Sequence, residues 1–186
     1  IRGGMGMITK WKPDSKAPIW RVQSDEENQF FNDLSLNHIL QHGPSCVATT
    51  LTMIARSTGA NVTVDYFKSI TNSQSPYSWS EALKPFGMQL AYCNFDLRRI
   101  GYYIDELISH NDLFLLSFYS IDPPSDPEEN GKLCTAHIVT LHRDQIYDTA
   151  KSKNFGGLVN AQNYSRLERQ TKRIFRVVPL GHPRCL

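Results

Sequence analysis

The chain has few cysteines, little net charge and no long apolar run, and each of these absences excludes a class of protein. Four cysteines in 186 residues are too few for a disulfide-stabilised scaffold, and they show no CxxC or clustered His/Cys zinc spacing. A formal net charge of +2 gives no concentrated basic patch, so nucleic acid is not an expected partner. No apolar run approaches the roughly 20 residues of a membrane-spanning helix. With 40% hydrophobic residues, the composition is that of one soluble globular domain.

The order of sequence patterns predicts an α+β domain. Residues 1–24 are rich in Gly, Pro, Lys and Ser and read as an arm or linker, which leaves residues 25–186 as the domain. Helical periodicity dominates the first half and strand-like runs the second, so we expect a helical layer packed on a C-terminal antiparallel sheet. The predicted helices are 46–58, 64–70, 79–83 and 96–110, the last capped by Asp96. The predicted strands are 88–95, 113–121, 135–142, 145–149 and 173–180, and 25–40 is expected to form a short helix or turns.

Cys46 is the first candidate for chemistry because it opens a predicted helix. The turn-forming stretch Gln41 to Ser45 precedes it, and Ser45 is a suitable N-cap. A thiolate at a helix N-terminus is stabilised by unpaired amide groups and by the helix dipole, which makes it a nucleophile. The side-chain amide of Gln41 could donate a hydrogen bond to an oxyanion formed beside the sulfur.

His137 is the expected partner of Cys46, and Asp148 the expected partner of His137. His137 lies in an alternating apolar strand, and a two-residue turn at Arg143-Asp144 would place residue 139 opposite Asp148. Asp148 then becomes a diagonal neighbour of His137 on the same face, where its carboxylate can orient the imidazole. A loop longer or shorter by one residue would turn Asp148 away, in which case Asp144 is the fallback orienter.

The remaining histidines and the other charged and aromatic residues carry weaker interpretations. His142 lies beside the turn and is expected to be exposed, as are His38, His42, His110 and His182. The basic residues between 151 and 176 are read as a solvated face or a surface for a partner, and the acidic segment 122–130 as a surface loop or a flap over the cleft. The aromatic residues are read mainly as core and rim packing, and a metal site is not expected, because Cys134 and His137 lack a second pair of ligands.

Taken together, Gln41-x-Gly-Pro-Ser-Cys46, the helix ending near Gly59, Ala136-His137-Ile-Val and Ile-Tyr-Asp148 resemble the papain-like cysteine peptidases. The sequence is most similar to the branch whose bacterial members cleave bacteriocin leader peptides after a double glycine. It departs from many of those members in having Val47 where they have Gly.

The resemblance implies a thiol peptidase that hydrolyses peptide or isopeptide bonds without a cofactor. In that family pattern Cys46 is the nucleophile, His137 the base, Asp148 the orienter and Gln41 the oxyanion donor. The expected partner is a protein or peptide substrate, with a Gly-Gly motif of leader, polyprotein or ubiquitin-like type. Two alternatives stay open: a glutamine deamidase or transglutaminase of the same fold, and an inactive module that only binds a partner. Thiolate chemistry fits a cytoplasmic or other reducing compartment, although secretion is compatible with it.

The first four residues, Ile1-Arg2-Gly3-Gly4, also contain a double glycine. Two readings follow from this sequence. The bond between Gly4 and Met5 is a self-processing junction of a longer precursor, or the segment is a flexible terminus or tag remnant, which is the commoner case.

Overall fold

The computed structural model describes residues 29–94, 98–120 and 136–186. Its helices are α1 (Cys46–Arg56), α2 (Val64–Ile70), α3 (Pro76–Leu83) and α4 (Ile100–His110), and its strands are β1 (Met88–Asn94), β2 (Leu113–Tyr119), β3 (Ala136–His142), β4 (Gln145–Tyr147), β5 (Leu158–Asn160) and β6 (Thr171–Pro179). No helix in the described ranges is long and apolar enough to cross a membrane. The expectations for residues 1–24, for the flap at 122–130 and for Asp96 as a cap lie outside these ranges.

The strands form one antiparallel sheet in the order β1-β6-β2-β3-β4-β5. The last strand, β6, therefore lies inside the sheet, between β1 and β2. The turn at Arg143-Asp144 has two residues, and it pairs His142 with Gln145 and Thr140 with Tyr147. This register is the one that the sequence predicts for the β3–β4 hairpin.

Both faces of the sheet are covered by helices. Along β2, Leu113 and Leu115 pack into the core shared with α1, α2 and α3, whereas Phe114 and Leu116 pack into the core shared with α4. Successive side chains of a strand point to opposite faces, so one apolar strand can serve two cores. The α+β class is confirmed, with α4 added as a layer on the far face.

The local sequence explains most helix ends. Thr63 accepts a hydrogen bond from the backbone N–H of Tyr66 at the start of α2, and Ser75 precedes Pro76, the first residue of α3. α3 begins at Pro76, three residues before the predicted start at Trp79, because proline is favoured at the first position of a helix, directly after the N-cap Ser75. β5 was not predicted, since three residues are too few for a recognisable alternation.

Residues 29–41, which we call the strap, run along the domain without forming a helix. The buried carboxylate of Asp112 accepts the backbone N–H groups of Phe30 and Phe31 at 3.0 and 2.8 Å. The same carboxylate forms a salt bridge of 2.6 Å with the buried guanidinium of Arg176. Arg176 thus belongs to the interior, contrary to the expectation of a solvated basic face.

Histidine side chains also fasten the strap. Nε2 of His142 donates to the carbonyl of Phe31 at 3.0 Å, and Nε2 of His38 donates to the carbonyl of Asp148 at 2.8 Å. The prediction that His142 is exposed is wrong, because the strap covers it and leaves 4% of its surface exposed. Burial also lowers the pKa of His142.

Candidate active site

Cys46 is the first residue of α1, and its side chain is partly exposed. Gly43 has a φ of +68°, a left-handed conformation that glycine adopts readily, and it turns the chain into the helix. Ser45 stands at the N-cap position, but its hydroxyl donates to the carbonyl of His42 at 3.0 Å, lies 3.1 Å from the hydroxyl of Thr49, and caps no backbone N–H of the helix. The backbone N–H groups in the first turn of α1 therefore receive no hydrogen bond from the Ser45 side chain. Cys46 belongs to this same turn.

His137 and Asp148 form a buried pair. Nε2 of His137 donates to Oδ1 of Asp148 at 2.7 Å, and their side chains are 12% and 2% exposed. Because Nε2 is engaged with the carboxylate, Nδ1 is the ring nitrogen left for Cys46. The ring of Phe118 stacks edge-on against His137 with centroids 5.6 Å apart, which limits rotation of the imidazole.

The electrostatics of this pair favour an imidazolium ion. Burial of His137 is the largest single influence and lowers its pKa, but hydrogen bonds with Asp148 and with Cys46 outweigh it and raise the pKa to about 9. For Asp148, burial raises the pKa, while the hydrogen bond from His137 and its positive charge bring the net value below the ordinary range. The arrangement thus holds a carboxylate and a protonated ring next to the sulfur at neutral pH.

Tyr164 completes the surroundings of Asp148 and was not singled out from the sequence. Its hydroxyl donates to Oδ2 of Asp148 at 2.6 Å, and the side chain is buried. The backbone N–H of Ala150 donates to Oδ1 at 2.9 Å. Tyr164 follows Asp148 by 16 residues across β5 and two irregular turns, so no periodicity in the sequence points to it.

Gln41 lies at the end of the strap and is held from two directions. Its backbone N–H donates to the carbonyl of Thr149 at 2.7 Å, and its Oε1 accepts from the hydroxyl of Thr149 at 2.8 Å. Its Nε2 donates to the carbonyl of Gly43 at 3.0 Å. An amide nitrogen carries two hydrogens, so the second remains to be offered to another acceptor. Gln41 is thereby tied both to the loop after Asp148 and to the turn before Cys46.

Other candidate residues take no part in this arrangement. Asp144, the fallback orienter, lies exposed in the turn at the opposite end of β3 from His137. His42 is exposed, while His38 contacts the backbone of Asp148 and is partly buried, contrary to expectation. Cys134 lies outside the described ranges. Among the described residues there is no group of three or more His, Cys, Asp or Glu side chains placed to hold a metal ion.

Comparisons with known proteins show that the chain has a known fold. No protein-family model and no curated protein sequence matches the chain. A solved structure that does match is the peptidase domain of Streptococcus ComA, a bifunctional ABC transporter of a quorum-sensing pathway. The two share 16% identity with a TM-score of 0.50, over 78% of this chain and 99% of that domain. The chain has the fold of this peptidase domain.

A second solved structure is a double-glycine-motif protease from an AMS/PCAT transporter, in complex with the leader peptide. It shares 14% identity, with a TM-score of 0.49, and the match covers 78% of this chain and 93% of the protease. The match to the ComA peptidase domain confirms the predicted peptidase fold. Both of these similar structures are peptidase domains.

Proposed function

We propose that the chain is a thiol peptidase in which Cys46 is the nucleophile, His137 the acid and base, and Asp148 the orienter. One observation carries the proposal: His137 donates to the carboxylate of Asp148 at 2.7 Å, and both Asp148 and Cys46 raise the pKa of His137. A free thiol at a helix start, next to an imidazolium ion, is the arrangement that keeps a cysteine in its nucleophilic form.

The proposed reaction has two stages. The thiolate of Cys46 attacks the scissile carbonyl carbon, and the resulting oxyanion accepts hydrogen bonds from Nε2 of Gln41 and from the first-turn amide of α1. The tetrahedral species then collapses, the C–N bond breaks, and His137 gives its proton to the leaving amine. In the second stage His137 takes a proton from water as the water attacks the thioester. The second tetrahedral species then collapses, the C–S bond breaks, and the acid product leaves, which restores the thiolate of Cys46 beside protonated His137.

We propose peptide or isopeptide bonds that follow Gly-Gly as the substrates. The support is the resemblance of the segments around Cys46 and His137 to double-glycine peptidases, together with the fold. Residues without side chains can pass a narrow cleft next to the nucleophile, which is the physical reason for such a preference.

A cleavage assay with matched cysteine variants tests the proposal. Peptides containing Gly-Gly are incubated with the wild-type chain and with the Cys46→Ala and Cys185→Ala variants, and the products are identified by mass spectrometry. Cys185 is the suitable control because it is also a partly exposed free thiol. We expect cleavage by the wild type and by Cys185→Ala, and none by Cys46→Ala. Retained hydrolysis by Cys46→Ala would contradict the assignment.

Labelling with a thiol-directed warhead adds a second readout. We expect Cys46 to be modified faster than Cys185, because Cys46 lies at a helix start beside His137, whereas burial raises the pKa of Cys93 to about 12 and keeps that thiol protonated. Modification without chain cleavage, accompanied by release of ammonia from a glutamine substrate, would point to a deamidase instead. Failure to label Cys46 selectively would indicate a module that only binds.

A further inference from the structure

A small pocket of about 190 Å³ adjoins the proposed catalytic pair on the side of His137. Its lining includes His137, Asp148, Ala150, Ser120, Lys151 and Arg166, while Cys46 does not line it. Pockets for complete small-molecule ligands usually measure about 300–1,000 Å³, so this one suits a single side chain. His137, which donates its proton to the leaving amine in the proposed reaction, lines the pocket, so substrate residues next to the cleaved bond are expected within its reach.

The negative charge in this pocket is already neutralised within the protein. Oδ1 of Asp148 accepts from His137 and from the backbone of Ala150, and Oδ2 accepts from Tyr164. Both carboxylate oxygens of Asp148 thus already accept hydrogen bonds from the protein. The acidic group of the lining therefore does not oppose the entry of a negatively charged ligand.

The remaining charged groups of the lining are cations. Nζ of Lys151 donates to the hydroxyl of Ser165 at 2.6 Å and lies 5.9 Å from the centre of the Tyr164 ring. An ammonium group has three hydrogens, so this contact positions Lys151 without exhausting its donors. Arg166 is partly buried, and its guanidinium carries up to five donors in a planar array that matches a carboxylate. Two positive groups around a cavity of side-chain size are complementary to one carboxylate.

We propose that this pocket binds an acidic side chain, Asp or Glu, of the peptide substrate, held by Lys151 and Arg166. The proposal rests on the proposed peptidase function and adds to it a charge requirement near the scissile bond. It makes Lys151 and Arg166 determinants of specificity that do not touch the reacting atoms.

A charge scan of the substrate tests the pocket. In a Gly-Gly peptide, the two residues before the motif and the two after the cleaved bond are replaced in turn by Glu, Gln or Lys. kcat/KM is then measured for the wild type, Lys151→Glu, Arg166→Glu and the control Lys153→Glu. Lys153 is exposed and lies two residues from Lys151, but it does not line the pocket. At one position we expect Glu to be preferred over Lys by up to about fivefold, the size of a partly exposed ion pair.

The variants should reverse this preference. Arg166→Glu is expected to favour the Lys peptide over the Glu peptide, and Lys153→Glu to keep the wild-type order. A variant that merely misfolds would lose activity on all peptides alike, so the inverted ranking distinguishes the two. Equal rates for Glu, Gln and Lys at all four positions, or an unchanged ranking in both pocket variants, would overturn the proposal.

Binding separates this proposal from the proposed function. The affinity of fluorescent Glu and Lys peptides is measured by anisotropy with Cys46→Ala, and again with the double variant Cys46→Ala/Arg166→Glu. Preferential binding of the Glu peptide that is lost in the double variant supports the pocket even if the wild type cleaves none of the peptides. Equal affinity for both peptides would overturn the pocket while leaving the cleavage chemistry intact.

Discussion

Replacement of Tyr164 by Phe removes one oxygen atom and tests whether this hydroxyl holds Asp148 as a carboxylate. The hydrogen bond is 2.6 Å long, both residues are buried, and the acceptor is charged. Hydrogen bonds to charged groups contribute about 1.5–3 kcal/mol, and their removal leaves the partner without its donor. We therefore expect the free energy of unfolding at neutral pH to fall by about 2 kcal/mol in Tyr164→Phe.

The sign of the pH dependence follows from Asp148. Its pKa in the folded state is below the ordinary value of 3.8, so its hydrogen bonds stabilise the fold above that pH. This stabilisation is lost as the pH falls through the folded-state pKa. The difference between wild type and Tyr164→Phe should therefore be largest at neutral pH and shrink on acidification below 3.8.

Urea unfolding of both proteins at neutral and at acidic pH measures this difference, with Tyr147→Phe as the control for removing the hydroxyl of another buried tyrosine. An equal loss at both pH values would refute the reasoning, since it would indicate altered packing rather than a bond to a carboxylate. In the cleavage assay, poorer orientation of His137 by Asp148 should lower kcat by about tenfold, which corresponds to about 1.4 kcal/mol, with little change in KM.

Three further predictions concern the rest of the site and its supports. The pKa of His137 is about 9, so kcat/KM should decline above that pH in a pH-rate profile. Asp148→Asn should move this decline to lower pH, and an unmoved decline would contradict the contribution of Asp148 to the pKa of His137. Gly157→Ala should destabilise the protein by several kcal/mol in thermal unfolding. A Cβ at residue 157 would lie 2.2 and 2.6 Å from the carbonyl oxygens of residues 151 and 152, in the loop after Asp148. A variant of wild-type stability would show that this loop can open. Asp112→Asn should cost about 3–5 kcal/mol in urea unfolding, because it leaves Arg176 charged and buried; a loss below about 1 kcal/mol would mean that solvent reaches that pair.

Local sequence patterns predicted the parts of the site that lie within short segments. The apolar stripe after Cys46 predicted α1, and the two-residue turn predicted the register that brings Asp148 to His137. Both depend on neighbours within about ten residues, where periodicity and turn geometry suffice. The roles of Gln41, Cys46, His137 and Asp148 in catalysis stay predictions that the cleavage assay tests.

Contacts between distant segments were not readable in the same way. His142 looked exposed because it lies beside a turn, yet the strap, more than 100 residues earlier, covers it. Arg176 counted as one cation of a basic region, but its buried partner is Asp112, 64 residues away. Tyr164 carries no local signal for the hydroxyl contact that it makes. Only the packed domain determines which polar side chains become buried, because that depends on segments that no short window contains.

The position of β6 between β1 and β2 has a consequence for how the protein is made. During synthesis the ribosome releases β1 and β2 well before β6. These two strands do not pair with each other, because β6 lies between them in the sheet. β2, β3 and β4 can pair early, and the β3–β4 hairpin brings residues 137 and 148 together, whereas β1 must wait for residues 171–179. Such long-range pairing makes folding slow and leaves strand edges open for a time. Premature termination before residue 171 should therefore yield an aggregation-prone product in which His137 and Asp148 are already adjacent but the sheet is divided.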